Sequence, residues 1–255
     1  MTDVISVIGQ KGGVGKSMVA QAISAESSRK GQATVLVDLD ISQRTSHQWG
    51  ETRRMNNLKP AFDVRLVNPE DYSKTYNYRD IDPSADLIVI DAPGWSDEKT
   101  KLLAAHSDYL VLPTGASVAD LDPTIRLMHE LVERGIPTNR MATALNRVKS
   151  TGEIKFARER IAAAGYTTLP GMLRDMPSYR TIQNVGHAAT EAEAKNMRDE
   201  ARQLVSSIQK GLVQSKSMSH TKPEIFKNQP EQFTYVPEQD NENKVKQRKT
   251  KRRSR

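Results

Sequence analysis

The chain contains no cysteine among its 255 residues, which excludes a disulfide framework and fits a reducing compartment such as the cytoplasm. It also lacks any apolar run near the ~20 residues that a membrane-spanning helix needs, and its first residues lead straight into a strand pattern. Secretion and membrane insertion are therefore not expected. Apolar residues are scarce for an α/β domain, at 36%, and mean hydropathy is −0.63, so part of the chain is expected to lie outside any core. The end of the chain is short of acid. Between Lys216 and Arg255 stand 11 of the 38 Lys and Arg residues against 5 of the 31 Asp and Glu. Most of the formal net charge of +7 belongs to this end, and the body is close to neutral. No internal repeat is visible.

What is present is alternation. Short apolar runs at Val4–Gly9, Thr34–Asp38, Val64–Val67, Leu87–Asp91, Tyr109–Pro113 and Met141–Asn146 read as strands. Helical patterns lie between them, such as Ser17–Lys30 stopped by Gly31 and Asp120–Arg134 stopped by Gly135. The length suits one α/β domain, and the alternation predicts a mostly parallel sheet covered by helices on both faces. A final amphipathic helix is expected over Thr190–Leu212, with Ala194, Met197, Ala201, Leu204, Val205 and Ile208 on one face. The expected domain therefore spans 1–212. Residues 213–255 read as a disordered polar tail, closed by eight basic residues and no acid in Lys244–Arg255.

The most informative stretch is Val4-Ile5-Ser6-Val7-Ile8-Gly9-Gln10-Lys11-Gly12-Gly13-Val14-Gly15-Lys16-Ser17. A β-branched strand enters a glycine-rich loop that ends in Gly-Lys-Ser and opens a helix, the construction of a phosphate-binding P-loop. Glycines let backbone N–H groups converge on phosphate oxygens, Lys16 reaches the β- and γ-phosphates, and the Ser17 hydroxyl serves Mg²⁺. Gly12, Gly13, Val14, Gly15, Lys16, Ser17 and Met18 form the candidate cradle. The usual first glycine is replaced by Gln10, and a second lysine, Lys11, precedes the glycine pair.

Lys-Gly-Gly-Val-Gly-Lys-Ser resembles the deviant Walker A motif of the ParA/MinD family of P-loop ATPases. The resemblance covers roughly residues 1–212. It implies a homodimer that sandwiches two ATP molecules, with Lys11 entering the partner's site, and it implies ATP and Mg²⁺ as cofactors. It assigns Asp40, in Val37-Asp38-Leu39-Asp40, to orienting the attacking water, with Asp38 as a structural or metal-network residue. Asp91, closing Leu87-Ile88-Val89-Ile90-Asp91, corresponds to the Walker B carboxylate, and Pro93-Gly94 to the switch II turn. Ser17, Asp40 and Asp91 thus form the candidate magnesium set. Ser117-Val118-Ala119-Asp120-Leu121 resembles a segment of small ParA proteins, and Asn146 stands where the family places an asparagine near the adenine. After Asp40 the family usually continues with Pro-Gln; this chain has Ile41-Ser42-Gln43. Without cysteine, the iron–sulfur chemistry of the nitrogenase iron-protein branch is excluded.

In that family basic residues on the C-terminal side contact DNA without sequence preference. Arg174, Arg180, Lys195, Arg198 and Arg202 are the candidates in the body, and Lys249, Lys251, Arg252 and Arg253 those in the tail. The expected function is a dimer-switch ATPase, cytoplasmic and nucleoid-associated, that positions or segregates DNA. Plasmid partition is the simplest form, with a centromere- or cargo-bound partner stimulating hydrolysis. Alternatives are a MinD-like ATPase on a membrane, disfavoured because Val245 is the only apolar residue in Lys244–Arg255, or a related ATPase positioning a conjugation complex. A biosynthetic ligase on the same fold has little use for Lys11.

Overall fold

The computed structural model describes residues 2–72, 77–94 and 98–218. Its centre is a seven-stranded, fully parallel sheet. In chain order the elements are β1 (Asp3–Val7), α1 (Lys16–Arg29), β2 (Thr34–Asp38), α2 (Thr45–Met55), β3 (Asp63–Leu66), β4 (Leu87–Asp91), α3 (Glu98–His106), β5 (Tyr109–Thr114), α4 (Val118–Glu133), β6 (Met141–Val148), α5 (Thr151–Ala163), β7 (Leu173–Arg174), α6 (Pro177–Gln183) and α7 (Lys195–Met218). The strand order is β3-β2-β4-β1-β5-β6-β7.

Consecutive strand residues point to opposite faces, and both faces are apolar here because both are covered. Ile5, Val7, Leu36, Val89 and Val111 pack under Val19 and Ile23 of α1 and Leu204, Val205 and Ile208 of α7. Val4, Ile8, Val37, Ile90 and Leu112 pack on the other face against Leu103 of α3, Leu127 and Leu131 of α4, and Ile161 of α5.

The last helix departs from expectation at both ends. Residues 189–191 form a separate 3₁₀ turn, because the Glu191 carboxylate accepts from the Ala188 N–H at 2.8 Å and pairs with Arg53 at 2.7 Å. Ala194 precedes the helix and is exposed. At its far end α7 runs to Met218, six residues past Leu212, so residues 213–218 are helical rather than tail. Ser215 is buried and donates to the carbonyls of Leu212 at 2.8 Å and Asp108 at 3.3 Å, and Lys216 pairs with Asp3. β1 ends at Val7 rather than Gly9, where the chain leaves the sheet for the glycine loop.

Because α7 covers one face of the sheet together with α1, its buried Leu204 should contribute substantially to stability. Leu204→Ala is expected to lower the unfolding free energy by about 2–5 kcal/mol, read from urea denaturation. A change below ~1 kcal/mol would mean that α7 does not close the core as described.

Candidate nucleotide site

The register of the sheet builds the site. Asp91 of β4 lies beside Val7 of β1 on one flank and Asp38 of β2 on the other, so three strands end side by side at the carboxyl edge. The loop after β1 wraps this edge with Gly13 and Gly15 in the left-handed region, at φ 75° and 91°. Gly15 has a second constraint: a Cβ there would collide with the Asn146 side-chain amide. Lys16 opens α1, is 9% exposed, and its Nζ donates to the Lys11 carbonyl at 3.3 Å.

Two buried carboxylates stand side by side at this edge, Asp38 and Asp91. Asp38 is fully buried and accepts from the backbone N–H groups of Asp40 at 2.9 Å, Ser46 at 2.9 Å and His47 at 3.0 Å. Burial pushes its carboxyl above the usual range, and those three N–H groups offset part of the push. Asp91, 3% exposed, is pushed up to about 7, by burial first and by the neighbouring Asp38 charge second. The hydroxyls of Ser17 and Ser46 and the charge of Lys16 work in the opposite direction, and Ser46 Oγ donates to Asp91 at 2.7 Å. Lys16 is itself lowered by burial, with Asp91 and Asp40 pulling it back.

Asp40 lies on the rim. Its Oδ1 accepts from the N–H groups of Ser42 at 3.2 Å and Gln43 at 2.9 Å, so the Ile41-Ser42-Gln43 departure forms a turn closed by Asp40 itself. Gly94 brings the turn after β4 against the P-loop: a Cβ there would stand 3.3 Å from the Gln10 carbonyl oxygen and 3.8 Å from Lys16 Nζ. The cavity between these elements holds about 400 Å³ and is lined by Gly12, Gly13, Lys16, Ser17, Asp40 and Asp91 among others. Met18 lines it too; Val14 is buried beneath the loop. Thr45, Arg147 and Gln183 also line it, and sequence reasoning did not assign them to the site.

Asn146 meets the P-loop rather than the open cavity. Its Nδ2 donates to the Val14 carbonyl at 2.7 Å and its Oδ1 accepts from the Arg147 N–H at 2.9 Å, which braces the loop from behind. Lys11, with 46% of its side chain exposed, pairs with Asp120 of the same chain. Ser117 donates to the other Asp120 oxygen at 2.6 Å. Burial works to raise Asp120, but the hydrogen bonds from Lys11 and Ser117 hold its carboxyl below the usual range.

The expected DNA contacts in the body are mostly engaged within the chain. Arg174 grips Glu200 with two nitrogens at 2.8–3.0 Å, and Arg198 donates to the carbonyls of Ala192 at 2.7 Å and Glu193 at 3.0 Å. Arg202 lies 3.5 Å from the buried Glu26. Lys195 and Arg180 are open, with side chains 82% and 67% exposed, and their partners Asp199 and Asp175 form surface pairs of little energetic weight. Lys249, Lys251, Arg252 and Arg253 lie outside the described residues.

A parallel sheet with a glycine loop, a buried lysine, a helix-opening serine and strand-end carboxylates defines a P-loop nucleotide-binding protein. The chain belongs to the ATPase MipZ family, whose sequence profile matches residues 3–131, and is thus an ATPase of the ParA/MinD type. No curated protein sequence matches it. Solved structures share the fold at low identity. MinD of Pyrococcus horikoshii OT3, complexed with Mg-ADP, superposes with TM-score 0.66 at 16% identity, over 82% of this chain and 97% of that one. A Borrelia burgdorferi B31 protein assigned to plasmid partition, bound to AMPPNP, gives 0.61 at 17% over 82% and 99%. McdA(D38A) of Cyanothece in complex with ATP gives 0.59 at 13% over 86% and 98%.

The donor set fits ATP with Mg²⁺. Asp91, Asp40 and the Ser17 hydroxyl all line the cavity and are hard oxygen ligands, and a divalent cation would offset the burial and the Asp38 charge that together raise Asp91. In the metal-free protein this raised group contributes stability below pH 3.8 that is lost as pH rises through about 7. Mg²⁺ must displace the same proton, so its affinity should be severalfold lower at pH 6 than at pH 8. Calorimetric Mg²⁺ titrations at the two pH values check this, and a flat response would leave Asp91 outside the metal site.

Proposed function

We propose that this protein is an ATP-dependent dimerising switch that binds DNA without sequence preference and positions or segregates it, most simply in plasmid partition. The observation that carries the reading is Lys11. It is the second lysine of the P-loop, stands next to Gly12 of the cavity wall, and its exposed ammonium is held by an ion pair with Asp120 and a 3.5 Å contact with the Ala119 carbonyl. An exposed pair of this kind contributes little to stability, so Lys11 is available to reach across to a second subunit.

In this reading the glycine loop, with Val14 beneath it and Met18 beyond it, cradles the phosphates. Lys16 and Lys11 of the partner subunit gather around the γ-phosphate, and Asp40 orients the attacking water. Ser17, Asp40 and Asp91 hold or surround the magnesium, which supplies charge neutralisation at the phosphates. Asn146 serves the nucleotide by stiffening the loop. Loss of the γ-phosphate removes the contacts that join two subunits, so dimer state is the output. DNA contact is assigned to the basic tail, including Lys249, Lys251, Arg252 and Arg253, together with Arg180 and Lys195. Arg174, Arg198 and Arg202 are proposed to hold the fold. Two tails on one dimer raise avidity. A cargo-bound partner protein that stimulates hydrolysis completes the cycle.

The tail's basic charge suits DNA, and with Val245 as the single apolar residue in Lys244–Arg255 it has no hydrophobic component for entering a membrane; no helix among the described residues is long and apolar enough to cross one. The discriminating experiment measures DNA retention with ADP, with ATP, and with ATP for Lys11→Ala and for a chain ending at Met218, across a salt series. ATP is expected to create binding that Lys11→Ala abolishes, and the shortened chain to bind more weakly with a flatter salt dependence. Binding that ignores nucleotide would sink the switch reading. Flotation with anionic vesicles in place of DNA retention would favour a membrane-based positioning ATPase.

Asp120 supplies a second test. Asp120→Ala releases Lys11 from its own chain, so the ATP-dependent dimer should form at a several-fold lower protein concentration, measured by light scattering. The same variant combined with Lys11→Ala should show no such gain.

A further inference from the structure

A chain of hydroxyl and amide side chains, buried at Ser46 and Gln21 and part-buried at Gln183, runs from the floor of the nucleotide cavity to α6, and phosphate binding does not require it. It begins at Ser46 in the first turn of α2, which is fully buried. The Ser46 N–H donates to Asp38 Oδ2 at 2.9 Å and its Oγ donates to Asp91 Oδ2 at 2.7 Å. One residue thus holds both strand-end carboxylates. The Ser46 hydroxyl accepts in turn from Gln21 Nε2 at 3.3 Å. Gln21, 1% exposed, lies one helical turn beyond Ser17 on the same face of α1. Its Oε1 accepts from Gln183 Nε2 at 2.6 Å, and Gln183 is the last residue of α6 and lines the cavity.

The direction of this chain is set by chemistry. Once Asp91 is ionised, as a metal ligand must be, it only accepts, so the single Ser46 proton goes to Asp91 and the serine lone pairs are left for the Gln21 amide. That orientation turns the Gln21 carbonyl toward Gln183. Polar side chains buried between α1, α2 and α6 cost more than an apolar set of the same size unless their hydrogen bonds are made, and Asp91 is the one charge these bonds serve. A second set of contacts joins the same parts. Trp49 Nε1 donates to the His187 carbonyl at 3.2 Å, Arg53 to that of Gly186 at 3.1 Å, and Asn56 to that of Val185 at 2.9 Å. The helix whose first turn holds Ser46 is therefore fastened to the segment that follows α6.

We propose that Ser46 is the positioning residue for the Asp91 carboxylate, held in place by Gln21 and Gln183, and that this relay couples metal occupancy of the cavity to α6. The inference rests on reading the cavity as a magnesium–nucleotide site. Metal binding at Asp91 draws on the same oxygens that Ser46 holds, so the serine sets the cost of bringing the metal in. Any shift it makes passes through Gln21 to the end of α6, the helix that carries Arg180.

The test compares the full-length protein with Ser46→Ala, Gln21→Met and Gln183→Met. Calorimetry measures ADP affinity in EDTA and the Mg²⁺ concentration that gives half-maximal enhancement, and hydrogen exchange follows the α6 amides. ADP affinity without metal should stay within about twofold in Ser46→Ala and Gln21→Met, whereas Ser46→Ala raises the Mg²⁺ midpoint by about tenfold or more, the usual effect of removing a partner that orients a metal ligand. Gln21→Met and Gln183→Met should raise it less, in that order, and both should abolish any Mg²⁺-dependent protection of α6. An unchanged midpoint in Ser46→Ala overturns the proposal. So does a parallel fall of metal-free and metal-bound affinity in all three variants, which would make the relay a packing device. Failure of the unsubstituted protein to bind ADP would instead refute the reading of the cavity.

Discussion

Three strands ending at one level force two carboxylates into adjacent buried positions, and the rest of the site answers that constraint. Asp38 and Asp91 are direct neighbours across β2 and β4, almost without solvent. Like charges so placed would expel each other's ionisation unless donors surround them. The donors come from three elements: Lys16 and Ser17 open α1, Ser46 and His47 open α2, and Asp40 contributes its own backbone N–H. The openings of α1 and α2 are thus fixed by the two acids as much as by their own sequences. The same electrostatic tension leaves the floor of the cavity suited to a cation.

The rim is governed differently. There the contacts are accessible and individually weak, as in Lys11, beside the glycine loop, with Asp120. A rigid floor with a loosely held rim suits a protein whose chemistry needs precise placement and whose assembly must reverse. The ion pairs that hold the framework lie lower in the molecule. Arg53, 4% exposed in its side chain, grips Glu191 while its guanidinium carbon lies 5.6 Å from the Trp49 ring centre and 5.3 Å from that of Phe62. That cluster anchors α2 near its C-terminal end, about two turns beyond Ser46.

The strands and the P-loop were legible because their signals are local. Thr34–Asp38 and Leu87–Asp91 are strands over the limits that their apolar runs mark, and the glycine spacing identifies the loop without its neighbours. α2 was not assigned, and the reason is physical. Its buried positions, Ser46, Trp49 and Arg53, follow helical spacing, but two of the three are polar and make no apolar stripe. Gln21 offered a faint sign as a polar residue inside the run Val19-Ala20-Gln21-Ala22-Ile23. Nothing local connected it to Ser46 or Gln183.

By itself the sequence determined the order of elements, the parallel sheet, the phosphate loop and the carboxylates at two strand ends, since each depends on residues close together in the chain. Only the tertiary structure decided what those residues face. It turned Asn146 onto the P-loop, paired Lys11 with Asp120, used Arg174 and Arg202 to hold Glu200 and Glu26, and joined Asp91 to α6 through Ser46 and Gln21. Each of these pairings bridges separate elements of the chain. A hydrogen bond of that kind depends on where two elements meet in space, and no spacing along the sequence encodes the meeting.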